Sequence, residues 1–201
     1  MSTIPDVFII ESLDPDDEGN GRFEGSIISN MLRLHGKSPM YRYVRTRDAF
    51  EQALKEFGAS NYRYLHISAH GEAEGMSTTN LEEIDFDELG QLLKPYFRNK
   101  RLFLSACSMV HEDLAAHLIP HTDCYSVVGP VDDIHFHKAA IFWASVYHLL
   151  FVKDSERIQR AALAQILGKA AELFEVNVRY FSKDSRSTNG FREQTLRARG
   201  A

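Results

Sequence analysis

Tyr64-Leu65-His66-Ile67-Ser68-Ala69-His70-Gly71 is an apolar run of strand-forming residues that stops on a histidine and a glycine. Leu102-Phe103-Leu104-Ser105-Ala106-Cys107 is a second such run that stops on a cysteine. Short apolar runs separated by helix-period segments are the pattern of buried strands in a parallel sheet. The segment between these two has helical spacing: Phe86, Leu89, Leu92, Leu93, Tyr96 and Phe97 mark one stripe behind Asp85, a candidate N-cap. A strand, a helix and a further parallel strand put both strand ends on one rim of the sheet, where open α/β sheets bind ligands.

The same alternation extends outward in both directions. Toward the amino end, 7–11 reads as a first strand, followed by a loop rich in Asp, Pro and Gly. Ile27, Ile28, Met31 and Leu32 then predict a helix ending near Gly36, and 41–45 a second strand. Thr46 is placed to cap a helix carrying Ala49, Phe50, Ala53, Leu54 and Phe57, and 62–68 is the third strand. Toward the carboxyl end the reading is strand 101–106, helix 111–119, strand 125–129, helix 136–152 and a last helix from 156 to about 174. The stretch 183–201 carries five bases (Lys183, Arg186, Arg192, Arg197, Arg199) against two acids and few apolar residues. It predicts a basic, flexible tail over 181–201 appended to a single domain over 1–180.

The chain has 201 residues, which suits one domain, and 44% hydrophobic residues with 13 Phe and 8 Tyr are enough to fill a core. A net charge of -5 argues against a general nucleic-acid binder held by phosphate neutralisation, while leaving room for a local basic patch. Cys107 and Cys124 are too few for a disulfide scaffold and lack a CxxC spacing, so a cytoplasmic, cofactor-free protein is the expectation. The opening MSTIPDVFII has no basic region ahead of its apolar run, and the apolar stretch 141–152 is shorter than the roughly 20 residues of a membrane helix. No secretory signal and no membrane contact are expected.

Amide hydrolysis by a thiol needs a nucleophile, a group that handles the leaving amine's proton, and donors for the oxyanion. Cys107 and His70 meet the first two needs. The helix starting near His111 directs its positive end toward the cysteine, favouring the thiolate. Backbone N–H groups of Gly71 and Cys107 are the candidate oxyanion donors. A cysteine at the end of an apolar strand is by default a packing residue, and nine histidines make some His near some Cys uninformative. The distinguishing feature is that each ends its own strand, on strands expected to be neighbours.

The His70-Gly71 and Ala106-Cys107 blocks together resemble those of the caspase-like cysteine peptidases of clan CD, and among them the CHAT domain group. The stretch 83–94, the strand ending Val127-Val128-Gly129 and the helix 139–150 with Phe142 and Tyr147 follow the same order of elements, so the resemblance covers roughly 5–152. It implies a three-layer sandwich with a mostly parallel sheet and helices on both faces. It further implies a cysteine endopeptidase in which Cys107 is the nucleophile, His70 the general acid/base and Gly71 part of the oxyanion hole. His66 occupies a position often filled by histidine in that group, with a core role the stronger expectation. A prokaryotic defence setting is also implied. The Gln-Ala-Cys-x-Gly signature of animal caspases is absent, so aspartate specificity is not carried over.

Charge suggests a basic substrate side chain, met by Asp17 of the acidic loop 14–18 or by Asp132 and Asp133 after the fifth strand. For the acidic loop a solvated role is the stronger expectation, and for Asp132 and Asp133 the two readings balance. His111, His117, His121, His135 and His137 cluster in sequence, but Pro120 separates His117 from His121, so no metal site is expected. His135 and His137 could instead flank a substrate, and Cys124 reads as a buried small residue. The expected partners are a protein or peptide substrate and an activating or regulatory protein. The competing function is a latent or non-catalytic caspase-like interaction module. A nucleotide-binding domain is the least favoured reading, because no Gly-rich phosphate loop follows the first strand.

Overall fold

The computed structural model describes residues 3–72, 75–106 and 109–198. Its strands are Ile4–Ser12 (β1), Met40–Tyr43 (β2), Tyr62–Glu72 (β3), Gly75–Ser77 (β4), Glu83–Asp85 (β5), Arg101–Ser105 (β6), Ser126–Pro130 (β7), Val178–Lys183 (β8) and Phe191–Leu196 (β9). The main sheet runs β2-β1-β3-β6-β7-β8-β9. The first five in that order pair parallel, and β8 and β9 close the sheet antiparallel. The helices are Pro15–Gly19 (α1), Glu24–Leu34 (α2), Arg47–Ala59 (α3), Phe86–Leu93 (α4), Glu112–Leu118 (α5), Phe136–Lys153 (α6) and Arg160–Phe174 (α7). The result is a caspase-like α/β sandwich with a mostly parallel sheet and helices on both faces.

Strand alternation sorts the core into two layers, because successive side chains point to opposite faces. Phe8, Ile10, Leu65, Ile67, Leu102, Leu104, Val127 and Phe181 face one way, toward Phe50, Leu54 and Phe57 of α3, Leu89 and Leu93 of α4, and Leu114 and Leu118 of α5. Val7, Ile9, Tyr64, Phe103, Val128 and Tyr180 face the other, toward α2, α6 and α7, where Trp143 and Tyr147 are fully buried. Each large side chain so buried contributes about 1.5–3 kcal/mol from apolar area alone.

Local chemistry sets the boundaries. Thr46 accepts a hydrogen bond from Ala49 N at the start of α3, and Asp85 accepts one from Glu88 N at the start of α4. Asp14 caps the short α1 within the loop expected after β1. The last helix begins at Arg160 rather than 156, because the Asp154 carboxylate accepts the N–H groups of Glu156 and Arg157 and holds them in a turn.

The expected flexible tail over 181–201 is ordered as far as residue 198. β8 pairs with β7 and β9 with β8, and Phe181 meets Phe191 edge-on with ring centroids 5.5 Å apart. As an outer strand β9 needs to bury only one side, which accounts for its polar composition. No helix among the described residues is long and apolar enough to cross a membrane.

Candidate active site

Parallel pairing of β3 with β6, and of β6 with β7, brings the loops after these strands to one rim. There His70 and Gly71 at the end of β3, Ser105 and Ala106 at the end of β6, and Asp133 after β7 line a cleft of about 350 Å³. Cys107 and Ser108 lie outside the described residues. Ala106, the residue before Cys107, is 2% exposed and forms part of the cleft wall.

Asp17 of α1 faces His70 across this rim. Its Oδ2 lies 2.6 Å from His70 Nε2, and Arg22 donates to its Oδ1. Burial pushes the Asp17 carboxyl up, but the bonds from His70 and Arg22 outweigh it and hold the carboxyl below its usual value. An ionised carboxylate only accepts, so the Nε2 position carries the proton and Nδ1 is the nitrogen left to exchange one. Phe136, at the start of α6, meets the His70 ring edge-on at 5.4 Å and restricts its tilt.

Beneath the cleft the polar ends of the strands form a buried network. Register places Glu11, Ser68 and Ser105 in one row across β1, β3 and β6. Glu11 accepts from Gly25 N at 2.7 Å and from the Tyr41 hydroxyl at 2.7 Å. Burial dominates these bonds and pushes its carboxyl up to about 7. Gly25 is required there: a Cβ would come 2.9 Å from Ile9 Cγ2 and 3.2 Å from Glu11 Cδ. Glu24 accepts from Ser68 Oγ through Oε2, while its buried Oε1 has no hydrogen-bond partner and lies 3.6 Å from His66 Nε2. His66 is fully buried, with Nδ1 3.1 Å from the Tyr147 hydroxyl.

Several expected site residues separate. Asp133 lines the cleft, whereas Asp132 accepts from Asn177 Nδ2 at 2.9 Å and lines a small pocket beside it. Asp14 caps α1, and Glu18 pairs with Arg45 at 3.2 Å. Arg22, Glu24, His135 and Phe136 line both the cleft and an adjoining pocket of about 440 Å³, to which His137 also contributes. Neither Arg22 nor Glu24 belongs to a motif, and only the helix start near Phe136 had marked His135 and His137 as substrate-flanking candidates.

Two further histidines of the sequence cluster have structural partners. His111 caps α5 and stacks on Phe86, and His117 lies 2.7 Å from Asp87 of α4. No group of three or more His, Cys, Asp and Glu among the described residues is arranged to hold a metal ion. Cys124 is fully buried with Sγ 3.5 Å from Ser126 O, and burial pushes its thiol up to about 12.

No known family and no curated protein matches the chain in sequence. Solved structures do resemble it in fold. One is the Arg specific cysteine proteinase gingipain R, with a TM-score of 0.54 and 14% identity over 83% of this chain and 41% of that one. Another is a secreted C11 cysteine protease from Bacteroides thetaiotaomicron in complex with an irreversible peptide inhibitor, with 0.59 and 10% over 88% and 66%. A third is caspase-1 from Spodoptera frugiperda, with 0.57 and 13% over 98% and 86%. The chain thus spans less than half of the gingipain chain and about two thirds of the C11 protease. All three neighbours are clan CD cysteine peptidases, and the fold of this chain is theirs.

Proposed function

We propose that the chain is a cysteine endopeptidase of caspase-like type, with Cys107 as nucleophile and His70 as general acid/base. The observation that carries this reading is the Asp17–His70 pair, on the wall of a cleft that also includes the residue preceding Cys107. The Cys107 thiolate attacks the scissile carbonyl, and N–H groups of Gly71 and Cys107 receive the developing oxyanion. His70 delivers its proton to the leaving amine, with Asp17 holding the ring in place. Asp17 is a positioning residue in this scheme, a different role from the substrate contact expected from charge alone.

The substrate is a protein or peptide, cleaved after a basic residue. The cleft offers the Asp133 carboxylate, while Glu24 contributes negative potential from beneath it, with Oε2 accepting from Ser68 and Oε1 turned toward buried His66. Asp132 supports the same loop through Asn177. Gingipain R, which shares the fold, is named as Arg specific. A second reading, a latent domain awaiting a partner protein, is favoured by Arg22, whose guanidinium lines the cleft and already pairs with Asp17.

A diverse peptide mixture incubated with wild type, Cys107→Ala, His70→Ala and Arg22→Ala, and read by mass spectrometry, tests both readings. The expected result is cuts after Arg or Lys that disappear with Cys107→Ala and fall about 10²–10⁴-fold with His70→Ala. Cuts that persist in Cys107→Ala overturn the assignment. Cleavage seen only with Arg22→Ala selects the latent form.

A further inference from the structure

At the opposite end of the sheet from the cleft, four arginines line a cavity of about 390 Å³: Arg63 near the start of β3, Arg101 at the start of β6, and Arg157 and Arg160 at the approach to α7. Arg101 is only 7% exposed. Its guanidinium donates to Ser126 Oγ at 2.8 Å and to Ile158 O at 2.9 Å, both neutral acceptors. Arg63 donates to Thr3 Oγ1, Thr3 O and Glu156 O, again neutral, and Arg160 donates to Lys183 O. Among the described residues none of the four forms an ion pair, while fourteen pairs form elsewhere.

A buried guanidinium without a counter-charge is costly, and gathering three more around it adds repulsion. In a chain of net charge -5 this concentration is the reverse of the average surface. The first turn of α7 opens beside the same cavity, without an acidic residue and without a side-chain cap from Gln159. The positive end of the α7 dipole adds to the potential there. Every charged group lining the cavity is therefore of one sign, and the volume falls in the range of small-ligand sites.

We propose that this cavity binds a small ligand carrying two or more adjacent phosphate groups. A guanidinium fork matches two phosphate oxygens at once, so one phosphate occupies two arginines and leaves the others unmatched. Adjacent phosphates engage the exposed Arg157 and Arg160 together, over the positive field of Arg63 and Arg101, whose guanidinium groups are held by protein acceptors. Tyr125, 39% exposed on the cavity wall, offers a ring for an attached base. The site is separate from the cleft, and its occupancy is independent of whether Cys107 is catalytic.

Calorimetric titration of the full chain with inorganic tripolyphosphate and with ATP, at about 0.15 M salt, tests this. Saturable binding at about 10 µM or tighter is expected for at least one probe. The Arg157→Ala/Arg160→Ala double variant, altered only at exposed positions, is expected to bind tenfold or more weakly with an unchanged circular dichroism spectrum. Cys107→Ala is expected to bind as wild type. Tighter binding of ATP supports a nucleotide, and equal binding supports a bare polyphosphate. No saturable heat from either probe at about 1 mM overturns the proposal. So does a double variant that binds as wild type, or duplex DNA binding as tightly as the better probe.

Discussion

The two faces of the sheet are buried in different chemistry. Under α3, α4 and α5 the cross-strand rows are apolar across the central strands, Ile10–Ile67–Leu104 and Phe8–Leu65–Leu102–Val127–Phe181, and turn polar at the margins, where Arg42 lies beside Ile10, Glu193 beside Phe181 and Ser12 beside Ala69. Under α2, α6 and α7 the middle row is Ile9–His66–Phe103–Val128–Tyr180. The rows at either end are polar: Glu11–Ser68–Ser105 toward the cleft, and Tyr64–Arg101–Ser126–Ser182 toward the arginine cavity. The helices follow the same division. Side chains of the N-cap residues Thr46, Asp85 and His111 cap α3, α4 and α5, whereas the N-cap residues Phe23, His135 and Gln159 give no side-chain cap to α2, α6 and α7, and α2 takes its first-turn acceptor from Glu11 on β1 instead. One face is closed and serves stability. The other is open at both ends, and each open end meets a polar cavity.

The largest effect is expected on the closed face. Phe57 is fully buried, meets Phe8 and Phe97 with ring centroids 5.7 Å away, and carries Lys100 Nζ 3.7 Å above its ring. Phe57→Ala is expected to cost about 3–5 kcal/mol, measured by denaturant unfolding. A cost below about 1 kcal/mol would mean that this layer is not the close-packed one.

On the open face the expected sign reverses. Folded Glu11 gains its proton near pH 7, whereas an ordinary glutamate does so near 4.5. Below about 4.5 both states hold the proton. Between the two values only the folded state holds it, so stability falls as pH rises by about 1.4 kcal/mol per unit, and the loss is complete above 7. Glu11→Gln keeps an acceptor for Gly25 N and removes the charge. It is expected to match wild type near pH 4 and to be more stable by about 3 kcal/mol at pH 8. Identical pH profiles for the two proteins would show that the polar row is as inert as the apolar ones.

This division also decides what could be read from sequence. The closed face was legible because its signals are local: Phe50, Ala53, Leu54 and Phe57 repeat at helical spacing behind Thr46, and Asp85 stands directly before its helix. His70 was legible as a strand end, and the pairing of β3 with β6 follows from chain order. The contacts of Asp17 with His70, and of Glu11 with Tyr41 and Gly25, join residues far apart, and no spacing rule encodes them. The β8–β9 hairpin was missed because an edge strand such as Phe191–Leu196 is mostly exposed and has the composition of a tail. Arg63, Arg101, Arg157 and Arg160 are scattered singly along the chain, and only the fold gathers them.

The caps allow a finer comparison. Thr46→Ala removes the acceptor for Ala49 N and is expected to cost about 1 kcal/mol, read from the shift in thermal midpoint. A cost near zero would show that the closed face does not depend on its caps.

The converse change is Gln159→Asp at the open start of α7, where the expected stability gain is the smallest, about 0.5–1 kcal/mol. The new carboxylate would accept a first-turn N–H, interact favourably with the helix dipole and stand beside Arg157 and Arg160. Salt should erode part of the gain, since Gln159 is exposed. The same carboxylate occupies the positive field that a polyphosphate would use, so a stabilised variant should bind tripolyphosphate more weakly than wild type. Stability and ligand affinity moving in opposite directions at this one position would show that α7 lacks a cap because its open end faces an anion. If stability does not rise, the first-turn N–H groups are already satisfied, and the distinction between capped and uncapped helices fails at α7.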